Sequence, residues 1–223
     1  MSYKIHQLKV RFAFFKNYSY LITDPATKET ALVDPAWEFA KINSIITESQ
    51  LNLTSILLTH SHYDHVNLVK AFVKRYNARV YMSGKEIAFY KFKCPNLHPL
   101  QNDDRINLGG ASVTCLETPG HSAGSMCFLL SDALFTGDTV FIEGCGMCKL
   151  HGGNPWEMYH SIQLIKAKTH PDVKIFPGHS YGKAPGYPLS YLLKENVYFK
   201  FTTAESFVAH RMRPHQTGLL DFK

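Results

Sequence analysis

The chain has 223 residues, 45% hydrophobic and 19% charged, a balance that suits one globular domain with its own core and excludes a disordered or collagenous chain. No apolar run is long enough to span a bilayer, and the polar start has no signal-peptide pattern, so the expected compartment is the cytoplasm and no membrane partner is expected. A net charge of +6 favours acidic ligands, but the basic residues are dispersed and no nucleic-acid partner is expected. Five scattered cysteines, Cys94, Cys115, Cys127, Cys145 and Cys148, do not form a secreted disulfide framework.

In chain order, residues 18–22 and 30–33 flank the turn-forming Asp24-Pro25 and read as a hairpin. Helical spacing over 37–51 (Phe39, Ile42, Ile45, Ile46) precedes a buried strand at 53–58. A helix over 66–76, a strand at 79–82 and a helix over 84–92 follow. Strands are expected at 112–116, 126–130 and 133–136. A helix then starts at Pro155 and reaches about 169, and a last strand lies at 173–176. Residues 187–223 read as a short helical tail on a single domain spanning 1–223. Such an order layers α and β together.

Four times an apolar strand ends in a turn that presents an imidazole or a carboxylate: His60, His121, Asp138 and His179. Glycine stands just before the last three, where it permits a sharp turn and close approach. The densest segment is His60-Ser61-His62-Tyr63-Asp64-His65, H-x-H-x-D-H. Alternate residues of an extended segment project together, so His60 and His62 can grip one cation. Asp64 and His65, at the start of a helix, point to a neighbouring position. Nitrogen and oxygen donors of this kind suit zinc, and paired metals about 3.5–4 Å apart are a usual hydrolytic arrangement.

H-x-H-x-D-H with Pro119-Gly120-His121, Phe135-Thr136-Gly137-Asp138 and Pro177-Gly178-His179 resembles the metallo-β-lactamase superfamily in its glyoxalase II branch. Residues 12–20, Gly144-Cys145-Gly146 and the segment from Gly152 to Tyr159 are also similar to zinc hydrolases encoded with bacterial polyketide synthases of the bacillaene type. The resemblance implies an α/β fold, a four-layer αββα sandwich with metals at one edge. It implies one zinc on His60, His62 and His121, a second on Asp64, His65 and His179, and Asp138 bridging; iron or manganese are possible substitutes. Two features depart from glyoxalase II: Met147 stands where a basic residue is usual, and the tail is short for a glutathione-gripping domain.

The expected chemistry is hydrolysis of an acyl thioester by a metal-bridging hydroxide that Asp64 also orients, in polyketide antibiotic biosynthesis. The substrate would be carried by a small thiol or an acyl carrier protein. Thiolate leaves without a strong general acid, because its conjugate acid has a pKa near 8.5. The alternatives are a hydroxyacyl-thiol hydrolase of glyoxalase II type, a mononuclear-iron sulfur dioxygenase, and a non-catalytic module binding an acyl carrier. Cys148, Lys149, Tyr181 and Lys183 are candidate substrate contacts. Cys145 and Cys148 also have C-x-x-C spacing, but no second pair completes a thiolate site. Asp34, ending a strand, reads first as a turn residue and second as an acceptor for a ligand imidazole.

Overall fold

The computed structural model describes residues 3–214, so residues 215–223 of the expected tail lie outside the described residues. The first sheet runs in the order β1 (Lys4–Phe12), β2 (Phe15–Thr23), β3 (Glu29–Val33), β4 (Asn52–Leu57), β5 (Arg79–Ser83) and β6 (Leu97–Leu100). Its first three strands are antiparallel neighbours and the rest pair in parallel. The parallel crossovers carry α1 (Phe39–Glu48), the single turn α2 (Tyr63–Val66), α3 (Val69–Tyr76) and α4 (Gly84–Tyr90).

The second sheet contains β7 (Arg105–Leu108), β8 (Ala111–Glu117), β9 (Met126–Leu129) and β10 (Ala133–Gly137). A small ribbon, β11 (Val140–Phe141) with β12 (Gly144–Cys145), and the helix α5 (Pro155–Lys168) intervene before β13 (Lys174–Pro177) and β14 (Tyr187–Pro188). The sheet order is β14-β13-β10-β9-β8-β7. Two helices close the described chain, α6 (Leu189–Glu195) and α7 (Ala204–Arg211).

Side-chain alternation along the strands builds three apolar layers. On β3, Ala31 and Val33 face the opposite sheet while Leu32 turns outward; on β10, Phe135 faces inward and Leu134 outward. The layer between the sheets contains Tyr20, Ile22, Leu57, Val113, Phe128 and Phe176. Outside the first sheet, Leu32 and Ile56 meet Ile42 and Ile46 of α1 and Phe72 of α3. Outside the second, Leu134 and Ile175 meet Met158, Ile162 and Ile165 of α5, with Leu192 and Phe207 from the two last helices. Each such side chain taken from water contributes about 1.5–3 kcal/mol. The result is a four-layer αββα sandwich, the expected fold class.

Several boundaries differ from the sequence reading. The expected helix over 37–51 begins only at Phe39, because Trp37 has left-handed backbone (φ 64°), and Gln50 (φ 51°) lies beyond its end. The helix expected over 66–76 starts only at Val69, as α3, while Val66 ends the separate turn α2. The expected last strand is followed by β14, so the tail opens with a strand. No helix among the described residues is long and apolar enough to cross a membrane.

Pairing direction places the site. Since β8 and β10 both run antiparallel to β9, and β13 runs parallel to β10, the C-terminal ends of all three share one edge. His121, Asp138 and His179 follow those ends. Met126 N donates to Thr59 O (2.8 Å) and Tyr18 N to Gly178 O (2.8 Å), tying the same edge of the first sheet, where β4 delivers His60, to the second.

Candidate metal centre

The four strand ends bring all seven predicted ligands together. One group of donor atoms belongs to His60, His62 and His121, another to Asp64, His65 and His179, with the atoms of each group within 4.8 Å of one another. Asp138 lies between them: its Oδ1 is 3.5 Å from His65 Nε2, and its Oδ2 is 3.7 Å from His121 Nε2 and 3.5 Å from His179 Nε2.

Four of the five imidazoles are oriented by what their Nδ1 meets. His65 Nδ1 lies 2.9 Å from Asp34 Oδ2, His121 Nδ1 2.8 Å from Met147 O, His179 Nδ1 2.7 Å from Lys16 O, and His60 Nδ1 3.0 Å from Thr59 Oγ1. Those contacts leave the four Nε2 atoms facing the centre. His62 is the reverse, with its Nδ1 2.9 Å from His121 Nε2. His60 Nε2, His65 Nε2 and Asp138 Oδ1 are buried and have no hydrogen-bond partner. Buried polar atoms left this way are costly unless something satisfies them. Converging lone pairs of nitrogen and oxygen are the donor set that a divalent cation such as zinc accepts, so the residues present fit the metal.

The charge distribution favours cations unequally. Burial and the neighbouring imidazoles keep His60 well below the ordinary histidine range, burial also lowers His62, and burial takes His121 down to about 4. These rings are neutral at pH 7, the form in which an imidazole can bind a metal. Burial would lower His65 too, but Asp138, Asp64 and Asp34 overcome it and push the ring up to about 10. His179 is raised against its burial by Asp138 and Asp64. Burial would raise the Asp64 carboxyl, yet charge on His65 and hydrogen bonds from His179 and Asn17 hold it well below the carboxylate range. The half around His65 thus stabilises positive charge, which a cation would supply in place of protons.

Glycine is required beside these ligands. A β-carbon at Gly178 would lie 2.5 Å from His65 Cε1 and 2.7 Å from Asp138 Oδ1. Gly137 has φ 48°, and a β-carbon there would collide with Thr59.

Four residues support the site: Asp34 in the second of its two sequence readings, and Glu86, Asn17 and Trp37, which were not foreseen in these roles. Asp34, read first as a turn residue, accepts from Thr59 N (2.8 Å), from Thr59 Oγ1 (2.6 Å) and from His65. Its oxygens also lie close to His60 and His65, but with those donors already on them it supports the site. Glu86 is fully buried; one oxygen accepts from Ser61 N and Oγ (2.8 and 2.7 Å), the other from Ser122 Oγ and Gly124 N (both 2.8 Å). It clamps the His60–His62 segment to the His121 turn. In sequence Ser83 and Glu86 have capping-box spacing, which gives no hint of that reach. Asn17 Nδ2 donates to Asp64 O and Oδ2 (both 3.0 Å), and its Oδ1 accepts from Trp37 Nε1 (2.7 Å). Trp37 is bulky for its left-handed backbone, and its N–H donates to Asn67 Oδ1 (2.9 Å).

A cavity of about 610 Å³ opens beside the ligands, walled by Phe12, Trp37, Tyr63, Met147, Leu150 and Tyr181. Phe12 stacks on Trp37 (5.2 Å, 15°), and Tyr63 meets Trp37 edge-on (5.9 Å). Of the four residues expected to touch substrate, Tyr181 is on this wall. Cys148 is instead buried in the layer under α5, and its thiol is pushed up to about 11 by that burial. Lys149 and Lys183 are exposed and off the cavity wall. The C-x-x-C loop serves the site through its backbone: Met147 O holds His121, and buried Arg211 Nε donates to Gly146 O (3.0 Å).

The profile of the Metallo-beta-lactamase superfamily matches residues 13–179. The chain is 47% identical over 223 residues, 100% of its length and 99% of the relative's, to the "Probable polyketide biosynthesis zinc-dependent hydrolase PksB" of Bacillus subtilis (strain 168). It is 32% identical to the "Hydroxyacylglutathione hydrolase" of Dictyostelium discoideum, over 74% of this chain and 62% of that one. Among solved structures, ETHE1 from Myxococcus xanthus matches with a TM-score of 0.85 at 26% identity, over 94% of this chain and 90% of that one.

Proposed function

The chain belongs to the metallo-beta-lactamase superfamily, and from that premise we propose that it is a zinc-dependent hydrolase of polyketide biosynthesis that cleaves an acyl thioester at a two-cation centre. The observation that carries the reading is Asp138, whose two oxygens face the ligand groups on either side of it. The relative named as a zinc-dependent polyketide hydrolase, matched end to end, supports the metal and the pathway.

His60, His62 and His121 would hold one cation, Asp64, His65 and His179 the other, and Asp138 both. Bound there, the cations would acidify water to a nucleophile near neutral pH and polarise the acyl carbonyl. The chain's own residues do the rest. Asn17 fixes the Asp64 carboxylate, so that Asp64 orients the attacking water as well as ligating. The aromatic wall of Phe12, Trp37 and Tyr63 takes the acyl group and excludes bulk water. Tyr181 stands at the same wall, its hydroxyl held protonated by burial and by Asp138 and Asp64. A departing thiolate needs no strong acid; an amide nitrogen would need one. The mostly apolar wall also suits an acyl chain better than the charged ends of glutathione. The thiol would be a small one or the arm of an acyl carrier protein.

Elemental analysis joined to a thiol-release screen on the full chain tests this. Two zinc per chain and free thiol from acyl thioesters are expected. Asp138→Ala should lower kcat/KM by at least about 100-fold, since several kcal/mol of charge stabilisation depend on the paired site. A single iron with oxygen uptake, or no thiol released by the metal-loaded protein, would overturn the reading.

A further inference from the structure

Beside the aromatic cavity lies a second cleft of about 400 Å³ whose lining is cationic: Lys9, Arg11, Lys16 and Lys41 against the single carboxylate of Glu38. Leu8 and Val10 of β1 point into the core, which turns Lys9 and Arg11 outward. The β1–β2 register sets Arg11 directly opposite Lys16, an arrangement of like charges that costs a sheet stability. Lys41 reaches over from α1, its Nζ donating to Lys9 O (2.5 Å). Glu38 is engaged within the cleft, accepting from Arg11 N (2.9 Å) and lying 3.7 Å from Lys41 Nζ. No acidic side chain pairs with the heads of Lys9, Arg11 or Lys16 among the described residues. Lysine on an edge strand guards against aggregation, and that accounts for Lys9. It does not account for Lys16 on the second strand or Lys41 on a helix converging on one hollow.

The cleft and the substrate cavity are lined by residues that are neighbours along the chain. Phe12 follows Arg11 and stacks on Trp37, which precedes Glu38, so the strand end and the start of α1 each contribute a residue to both hollows' surroundings. Lys16 links them again, since its carbonyl orients His179. A molecule with its reacting carbonyl at the metal ligands and its acyl group on the aromatic wall would send its thiol portion out along this rim. We propose that Lys9, Arg11, Lys16 and Lys41 form an anion subsite for the phosphate of a 4′-phosphopantetheine arm, the group common to coenzyme A and carrier-protein thioesters. Guanidinium and ammonium donors suit phosphate oxygens, and an anion there relieves the repulsion between Arg11 and Lys16. The subsite rests on the thioester reading above; it takes the place of Lys149 and Lys183, the basic residues among the candidate substrate contacts.

One acyl group is presented to the zinc-loaded full chain as its pantetheine, 4′-phosphopantetheine, coenzyme A and acyl-carrier-protein thioesters. The phosphate is expected to raise kcat/KM about tenfold over pantetheine, the scale of one charge-assisted contact. The Lys9→Ala/Arg11→Ala variant is expected to lose that gain with 4′-phosphopantetheine and with at least one of the two larger carriers, while turning over the pantetheine thioester within about twofold of wild type. Its melting temperature should equal or exceed wild type, because a like-charge pair has gone. No phosphate gain in wild type, or an undiminished gain in the variant, overturns the subsite. Calorimetry with 4′-phosphopantetheine against pantetheine, wild type against variant, judges the cleft without turnover. A phosphate-dependent binding lost in the variant supports it even if no thioester is cleaved, and its absence from wild type overturns it.

Discussion

Asp34 shows how much the orientation of His65 owes to a carboxylate already taken by other donors. Its carboxylate takes two donors from Thr59 and lies 2.9 Å from His65 Nδ1, which fixes the ring with Nε2 toward the centre. Asn at position 34 keeps the shape but offers an N–H to one of those partners, so a donor must face a donor. Asp34→Asn should weaken zinc binding by about 10–100-fold in chelator competition, with the fold retained by circular dichroism. The seven candidate ligands were legible because four stand just past an apolar strand and His62, Asp64 and His65 crowd behind the first of them, in a pattern that packing alone does not call for. Their supports were not legible. Asn17 reaches Asp64 across 47 positions, and Glu86 reaches Ser61 across 25 and Ser122 across 36; no local pattern encodes such contacts. Cys148 misled because its loop resembles a substrate loop, whereas the loop's backbone carbonyls are what the site uses.

At the scale of elements, strands with two buried faces were readable and edge strands were not. β9 is a continuous apolar run and β10 is fully buried, while β4 ends in the buried Ile56-Leu57. β1 alternates lysine, histidine and arginine with a few core residues, and β6 and β7 are four residues each with one or two buried, so their membership depends on a neighbour that only the fold supplies. The same dependence joins α7 to the centre. Arg211 holds Gly146 O, and the next residue's carbonyl orients His121. Arg211→Met preserves apolar volume but leaves a buried carbonyl with only the weak Cys148 Sγ donor at 3.7 Å. Stability should fall by about 1–3 kcal/mol in denaturant unfolding, and zinc affinity should fall with it. Loss of stability with unchanged zinc affinity would separate the helix from the site.

Across the whole molecule, the sheets are joined at the edge far from the ligands as well. Asp24, in the turn after β2, accepts from Ala26 and Thr27 N (2.7 and 3.2 Å) and from Gly110 N of the β7–β8 turn. These donors, Gly110 first, hold its carboxyl below the ordinary range. The sign follows: the folded state binds the proton less readily than the unfolded chain, whose value is near 3.9. The contribution is therefore present above about pH 4 and is lost as pH falls through the depressed folded value. Asp24→Asn should melt below wild type by a constant margin above about pH 5, and the gap should close in acid; a pH-independent gap would assign the effect to packing alone.

Four of the seven donors come from the stretch between His60 and His65, and three from strand ends beyond residue 120. A cation seated among them would rivet the early half of the polypeptide to the late half, and only the folded chain can offer that seat. A cell short of zinc would then lose more than turnover. It would hold a looser protein, opened more often and cut sooner by its proteases.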